Sequence, residues 1–252
     1  MADVMNLPVS WDSQRSGVGP SPAVFGSFNV EVSNPHVGFE VWVDFLQGIH
    51  NVDSAEFRGF KAFLDTDSTI ALMAAEVGGV LELASAATDN RNPAIATGGD
   101  IAGIVKPYTT TPKKWAIEAR LKLSSILDQG FFFGVAAIGC CADNGILTDN
   151  SGVLIDKNCI GFLVVTAAPA TVNAVYKDAG QTAVTAAAAV YTLVANTYVK
   201  LGMLYTGKGS KALRYFVNGV EVGSVTKAVC AAVGFPDAEI MTGIVSLKTG
   251  SC

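Results

Sequence analysis

One nine-residue segment, Trp115–Leu123 (WAIEARLKL), constrains the fold more than any other part of the sequence. Its apolar side chains fall at every second position, and the charged residues Glu118, Arg120 and Lys122 fall between them. A repeat of two places alternate side chains on opposite faces of a β-strand. The pattern therefore predicts a half-buried strand with a charged outer face, as in an antiparallel sheet.

Similar strand signals recur along the chain. Phe131–Gly139 is apolar throughout, which predicts a strand buried on both faces. The other predicted strand segments are Phe39–Phe45, Phe57–Leu64, Thr69–Glu76, Val80–Ala84, Ile160–Ala168, Thr171–Gly180, Thr197–Gly207, Leu213–Val225 and Ile240–Leu247. The alanine-rich segment Gln181–Val194 leaves helix, strand and loop open.

Two glycine-containing pairs predict hairpins. Asn218-Gly219 lies between two β-prone runs, and a type I′ turn requires positive φ at both of its central positions. Gly78-Gly79 predicts a second hairpin. About twelve strands with no clear helix are typical of an antiparallel sandwich.

Composition excludes several classes of protein. Half of the 252 residues are hydrophobic and 15% are charged, so the chain can bury a large core. No apolar run reaches the roughly 18 residues that span a membrane, and the start lacks the pattern of a secretory signal. The net charge of −5 and the absence of a basic cluster argue against a nucleic-acid partner.

The five cysteines fit neither a disulfide framework nor a zinc site. They are odd in number, with one adjacent pair, Cys140-Cys141, and no C-x-x-C spacing. We interpret most of them as small core residues of a protein made in reducing cytosol.

The first residues differ from the rest. Residues 1–30 hold three prolines and several Gly and Ser residues with little periodicity. We predict an amino-terminal arm or irregular lead-in over residues 1–38 and one β-sandwich domain over residues 39–252. A lead-in that packs on its own domain is the alternative to an extended arm.

The ordered segments WAIEARLKL, FFFGVAA, IGFLVV, YVKLGMLYTG, LRYFVNGVEVGSV and FPDAEI resemble the concanavalin A-like (laminin-G-like) jelly roll, in particular versions in virion proteins of tailed bacteriophages. The resemblance covers about residues 39–248. It implies an all-β, two-sheet antiparallel jelly-roll sandwich with an extended N-terminal arm. Such domains usually close with a further strand, but this sequence stops at KTGSC. We therefore expect a different closure, or an edge covered by a neighbouring subunit.

The resemblance implies a non-enzymatic structural virion protein that decorates the outer surface of a phage capsid. Its expected partners are the major capsid protein and sister copies in a homo-oligomer, with a trimer as our hypothesis. It would be made in the host bacterial cytoplasm and located on the capsid. The alternative is a carbohydrate-binding module of a fibre or host-recognition structure, because many functions share this fold.

Carbohydrate binding needs an exposed aromatic ring beside polar loop residues. Our candidates are Asn144, in the loop Asp143–Ser151, with Tyr198 and Tyr205. We expect no cofactor. Calcium is the weaker possibility, with Asp143, Asp149 and Asn150 as oxygen ligands. The other Asx pairs, Asp65-x-Asp67 and Asp89-Asn90, are explained equally well by turns.

The sequence has few residue patterns that would indicate catalysis. A glycosidase on this fold needs closely spaced carboxylates of E-x-D-x-E type, and none occurs. Glu40 and Glu118 each stand alone and are interpreted as solvated residues. His36 and His50 suggest no third metal ligand and are interpreted as surface residues. We therefore predict no enzymatic activity.

Overall fold

The structure, a computed structural model, describes residues 21–25, 56–57, 60–65, 68–73, 80–85, 92–98, 101–107, 110–111, 113–127, 129–141, 145–148, 152–237 and 239–249. The predicted strand Phe39–Phe45 and both histidines lie outside these residues. Fourteen strands occur in the described part, and every strand pair is antiparallel. The strands are β1 (Glu56–Phe57), β2 (Phe60–Phe63), β3 (Thr69–Leu72), β4 (Leu81–Ala84), β5 (Ala94–Thr97), β6 (Trp115–Leu121), β7 (Gln129–Ala137), β8 (Cys159–Val164), β9 (Thr171–Lys177), β10 (Val184–Thr192), β11 (Val199–Tyr205), β12 (Leu213–Val217), β13 (Val220–Val225) and β14 (Met241–Thr249).

Two sheets form the body of the fold. The larger has eight strands in the order β1-β2-β5-β14-β7-β8-β9-β10, and the smaller has four in the order β13-β12-β11-β6. The pair β3-β4 is a separate two-stranded sheet. The predicted all-β sandwich of two antiparallel sheets is thus confirmed.

The main core fills the space between the two sheets. Alternate residues of β6 and β11 face it, as the period-two pattern predicted, and the ring of Tyr205 stacks on Trp115 with centroids 5.5 Å apart. From the other sheet, Phe162 contacts the Tyr215 ring edge-on, at a centroid distance of 5.5 Å. Burial of these rings provides the apolar free energy that holds the layers together.

The outer face of the larger sheet is also buried near its centre. Phe132, Leu163 and Ile244 project from it and pack against residues of the segment between β7 and β8, including Ile146 and Leu154. All six residues of β8 are buried, as are eight of the nine residues of β7. The prediction that the apolar segment 131–139 is buried on both faces is confirmed over the strand.

The outer face of the smaller sheet carries part of the N-terminal segment. A short helix, α1 (Pro22–Phe25), places the fully buried Val24 against Leu204 and Phe216. Gly202 makes room for it, since a Cβ at that position would lie 2.9 Å from Cγ2 of Val24. The described residues 21–25 of the predicted arm therefore pack on their own domain.

The hairpin predictions can be compared directly with the pairing. Asn218 and Gly219 have φ values of 50° and 78°, and they join β12 to β13 as the sequence predicted. The strands β3 and β4 pair around Gly78-Gly79, which itself lies outside the described residues. The segment Gln181–Val194, for which the sequence left helix, strand and loop open, contains the strand β10 at the edge of the larger sheet.

The C-terminal strand β14 is part of the larger sheet. β14 lies in the interior of the larger sheet, between β5 and β7, and pairs with β7 along its whole length from Met241 to Thr249. The end of the described chain is therefore an interior strand that is paired on both sides, not an edge strand. Among the residues described here, none of the helices has the length and apolar character that crossing a membrane requires.

Candidate functional site

A depression of about 550 Å³ lies on the outer face of the larger sheet, near its β10 edge. We call it the edge depression. Aliphatic and polar residues both line it: Val153, Leu154, Asp156, Leu163, Lys177, Gly180, Gln181, Thr182 and Ala183. Small-molecule sites combine apolar side chains with a few hydrogen-bonding groups, and the described lining has both, although no aromatic residue is part of it.

Strand register places the floor of the edge depression. Leu163 of β8 packs in the outer cluster, which shows that its side chain leaves the sheet on the outer face. Lys177 at the end of β9 pairs with Cys159 of β8, which belongs to the same cluster. Because directly paired residues share a face, the Lys177 side chain also lies on the outer face.

Two side chains tie the walls of the edge depression together. Oδ1 of Asp156 accepts a hydrogen bond from the N–H of Gly180 at 2.7 Å. Oδ1 of Asn158 accepts one from the N–H of Ala179. The segment before β8 is therefore fastened to the turn between β9 and β10, and the walls are held in place without a ligand.

The charges in the edge depression compensate each other. Nζ of Lys177 is 3.5 Å from Oδ1 of Asp156, with the lysine side chain 11% exposed and the aspartate 67% exposed. The hydrogen bond from Gly180, together with nearby Lys177, lowers the pKa of Asp156 below its usual value. The Asp156 carboxyl is thus ionised at pH 7, and the pair places an acceptor at the rim and a donor in the floor.

The structure corrects the prediction that Tyr205 contacts a glycan. Its side chain is fully buried between the sheets and stacks on Trp115. The alternation of Val199, Leu201, Met203 and Tyr205 already placed it on the core-facing side of β11. Desolvation by burial raises the pKa of its phenol, which agrees with an enclosed core position.

Tyr198 lies on the outer face of the smaller sheet, in the layer opposite the edge depression. The Arg120 guanidinium lies 3.5 Å from its ring centroid, and Nζ of Lys122 lies 4.9 Å from it. This ring is therefore already engaged in cation–π contacts. The other candidates, Asn144, Asp143, Asp149 and Asn150, lie outside the described residues.

The described carboxylates that the sequence singled out have protein partners. Asp65 accepts hydrogen bonds from the Asn92 N–H at 2.7 Å and from the Ser68 hydroxyl. Oε1 of Glu118 accepts from the N–H of Ser21 at 3.0 Å, so Glu118 holds the α1 segment rather than facing solvent freely. In the described part of the chain, no three His, Cys, Asp or Glu residues are grouped as a metal site.

Four of the cysteines, Cys140, Cys141, Cys159 and Cys230, are buried and free of disulfides. Burial raises the pKa of the Cys159 thiol to about 12, and burial likewise raises that of Cys230 to about 12. The prediction that most cysteines are small core residues is confirmed for these four. A protonated, enclosed thiol is a poor nucleophile and a poor metal ligand.

The sequence reasoning missed Asp156 and Lys177. The available signal was the sequence KDAG, Lys177–Gly180, at the end of the predicted strand Thr171–Gly180 and just before the alanine-rich segment. The aspartate twenty-one residues earlier could not be linked to that turn before the strand pairing was known.

Comparisons with known proteins give structural similarity only. No family model and no curated protein matches the sequence. Peanut lectin is similar at 11% identity and a TM-score of 0.49, over 77% of this chain and 84% of the lectin. The carbohydrate recognition domain of Emp47p has 12% identity and a TM-score of 0.48, over 79% of this chain and 84% of that domain.

An endo-β-1,3-glucanase from Pyrococcus furiosus is similar at 16% identity and a TM-score of 0.41, over 77% of this chain and 64% of the enzyme. Nothing in these similarities indicates a bacteriophage origin or a laminin-G relationship, so the virion prediction stays a prediction.

Proposed function

We propose that this protein is a carbohydrate-binding module that holds a neutral sugar in the edge depression. The observation that carries the proposal is the combination found there: a charge-compensated Asp156–Lys177 pair above aliphatic side chains, between walls that are tied together. The described residues that line the edge depression include no aromatic ring, so the stacking contact expected from the sequence is not part of this site. The C–H groups of a sugar would pack on the aliphatic floor instead, and its hydroxyl groups would meet the polar pair. This combination fits a polyhydroxylated ligand better than a purely apolar one.

The opposite charges of Asp156 and Lys177 restrict the class of ligand. An anionic group entering the edge depression would meet the Asp156 carboxylate, and a cationic group would meet the Lys177 ammonium. A neutral ligand with many hydroxyls can hydrogen-bond to both without removing either from its partner. Gln181 and Thr182 add further donors and acceptors at the exposed rim.

The proposal assigns binding rather than turnover. Asp156 is the one carboxylate in the described lining of the edge depression. Glycoside hydrolysis ordinarily needs two carboxyl groups that flank the scissile bond. The arrangement therefore supports recognition without hydrolysis. It favours the carbohydrate-binding alternative over capsid decoration, the first functional interpretation of the sequence.

Binding can be tested with the full chain by saturation-transfer NMR and a glycan array. The NMR probes are methyl α-D-mannopyranoside, methyl α-D-glucopyranoside and methyl β-D-galactopyranoside. Ala183→Trp should abolish binding because the indole would fill the edge depression. Val220→Trp is the matched control, since Val220 is 66% exposed and lies outside this lining.

Specific results would contradict the proposal. Absence of binding to all array glycans and all three methyl glycosides overturns it. Equal binding by Ala183→Trp and by wild type would place the sugar elsewhere on the molecule and overturn the assignment of this site.

A further inference from the structure

We propose that the edge depression recognises two hydroxyl groups on adjacent carbons of one sugar ring. The Asp156 carboxylate accepts a hydrogen bond from one hydroxyl, and the Lys177 ammonium donates a hydrogen bond to the other. This inference rests on the proposed function and specifies its ligand class: a neutral sugar with two free hydroxyls on adjacent carbons.

The first step is the hydrogen-bonding capacity left in the pair. Oδ1 of Asp156 accepts from Gly180 and faces Nζ of Lys177, whereas Oδ2 has no partner among the residues that the structure describes. An ionised carboxylate has about four acceptor positions, and an ammonium has three donors. Both groups therefore retain positions for a ligand while keeping their mutual contact.

The second step is their spacing. Nζ and Oδ1 are 3.5 Å apart, so the acceptor and the donor stand side by side. Hydroxyls on adjacent ring carbons also stand side by side, and each can donate one hydrogen bond and accept others. One hydroxyl can therefore donate to Asp156 while its neighbour accepts from Lys177.

The third step is the penalty for a ligand that lacks one hydroxyl. Such a sugar covers the charged pair and displaces the water bound to both groups. One of the two groups then has no hydrogen bond in place of the one that it made to water. Sites built to hydrogen-bond a hydroxyl discriminate against analogues that lack it, because a polar group that the bound ligand covers is then left without a hydrogen bond. Selectivity for the vicinal pair follows from this asymmetry.

The positions of the two groups are fixed before binding. Lys177 is anchored at the end of β9 with its side chain 11% exposed, and Asp156 is held by the Gly180 N–H. Fixed donors and acceptors reduce the ordering cost of binding. The pair can therefore select for the relative orientation of two hydroxyls and not only for their presence.

The experiment starts from whichever of the three methyl glycosides binds the wild-type protein. Its complete set of monodeoxy derivatives is then titrated against wild type, Asp156→Asn and Lys177→Met. Asp156→Asn keeps an oxygen to accept from Gly180 but replaces an acceptor with a donor, and Lys177→Met keeps the apolar stem without the charge. Lys208→Met is the matched control, because it removes an ammonium group from an exposed lysine that lies outside the lining.

We expect two derivatives, lacking hydroxyls on adjacent carbons, to bind wild type about tenfold or more weakly. Asp156→Asn should lose discrimination at one of these carbons, and Lys177→Met at the other. Lys208→Met should retain discrimination at both. Unfolding midpoints of the variants establish that each is folded at the temperature of the titration.

Three outcomes overturn the inference while leaving the proposed function standing. They are sensitivity at one carbon only, sensitivity at two non-adjacent carbons, and unchanged discrimination in both Asp156→Asn and Lys177→Met. If no methyl glycoside and no array glycan binds wild type, the proposed function fails and the inference fails with it.

Discussion

The hydroxyl of Tyr215, on the smaller sheet, donates a hydrogen bond to the carbonyl oxygen of Val175, on the larger sheet, at 2.9 Å. This bond crosses the core and joins the two layers. Tyr205 is equally buried, yet its hydroxyl has no partner in the described part of the chain. The two tyrosines therefore allow a direct measurement of what a buried hydroxyl contributes when it is paired and when it is not.

Removing each hydroxyl should have different effects on stability. We expect Tyr215→Phe to lower the free energy of unfolding by about 1–2 kcal/mol, because a buried hydrogen bond is lost. Tyr205→Phe should change it by less than about 0.5 kcal/mol or raise it, because an unpaired buried hydroxyl is removed. Urea denaturation of both variants measures the difference, and equal losses would contradict the assigned hydrogen bonding.

Gly202 and Val24 should be energetically coupled. A Cβ at position 202 would lie 2.9 Å from Cγ2 of Val24, so we expect Gly202→Ala to displace α1 and to cost about 1–3 kcal/mol. Hydrogen exchange at residues 21–25 should accelerate in this variant. In the double variant with Val24→Ala, the smaller side chain leaves room for the new methyl group.

The control for this prediction is a double-mutant cycle. We expect the double variant to be destabilised by less than the sum of the two single variants. Simple additivity, with unchanged exchange at residues 21–25, would show that α1 does not depend on the space above Gly202.

The Glu221 network should make stability depend on pH. Burial alone would raise the pKa of Glu221, but hydrogen bonds from Lys211 and Arg214 outweigh it and lower the pKa below its usual value. The ion-pair distances are 2.6 Å to Nζ of Lys211 and 2.7 Å to Nη2 of Arg214. A carboxyl with a lowered folded-state pKa stabilises the protein above its unfolded-state pKa, and this contribution is lost as the pH falls through the folded-state pKa.

Glu221→Gln should therefore lower the free energy of unfolding by about 0.5–1 kcal/mol at pH 7. The deficit should shrink in acid, as the wild-type carboxyl becomes protonated and loses its ionic partners. Denaturant titrations from pH 7 down to pH 3 measure this. Glu82→Gln, at an exposed position of β4, is the matched control, and a deficit independent of pH would contradict the ionic assignment.

The buried cysteines should resist alkylation in the folded protein. Because burial raises the thiol pKa of Cys159 and Cys230 to about 12 each, almost no thiolate is present at pH 8. Iodoacetamide followed by peptide mass spectrometry should label the peptides of Cys140, Cys141, Cys159 and Cys230 only after unfolding. Rapid labelling of Cys159 in the native protein would contradict its enclosed position on β8.

Sequence periodicity predicted much of the sandwich but little of the site. The burial of Trp115–Leu123 and Phe131–Gly139 could be predicted, because the face that each side chain occupies depends only on its position in the strand. The edge depression could not be predicted from the sequence, since Asp156 and Lys177 meet through the β8–β9 pairing. Tyr205 was predicted as a ligand contact although its own strand pattern turned it towards the core.

The sequence by itself determined the all-β class, the alternation of faces and the Asn218-Gly219 hairpin, because these depend on neighbours along the chain. Only the tertiary structure decided that β14 lies between β5 and β7, that Val24 packs above Gly202, and that Lys177 stands beside Asp156. Each of these contacts joins residues far apart in sequence. Their proximity results from strand pairing and packing between segments that are distant in sequence, which no local pattern encodes.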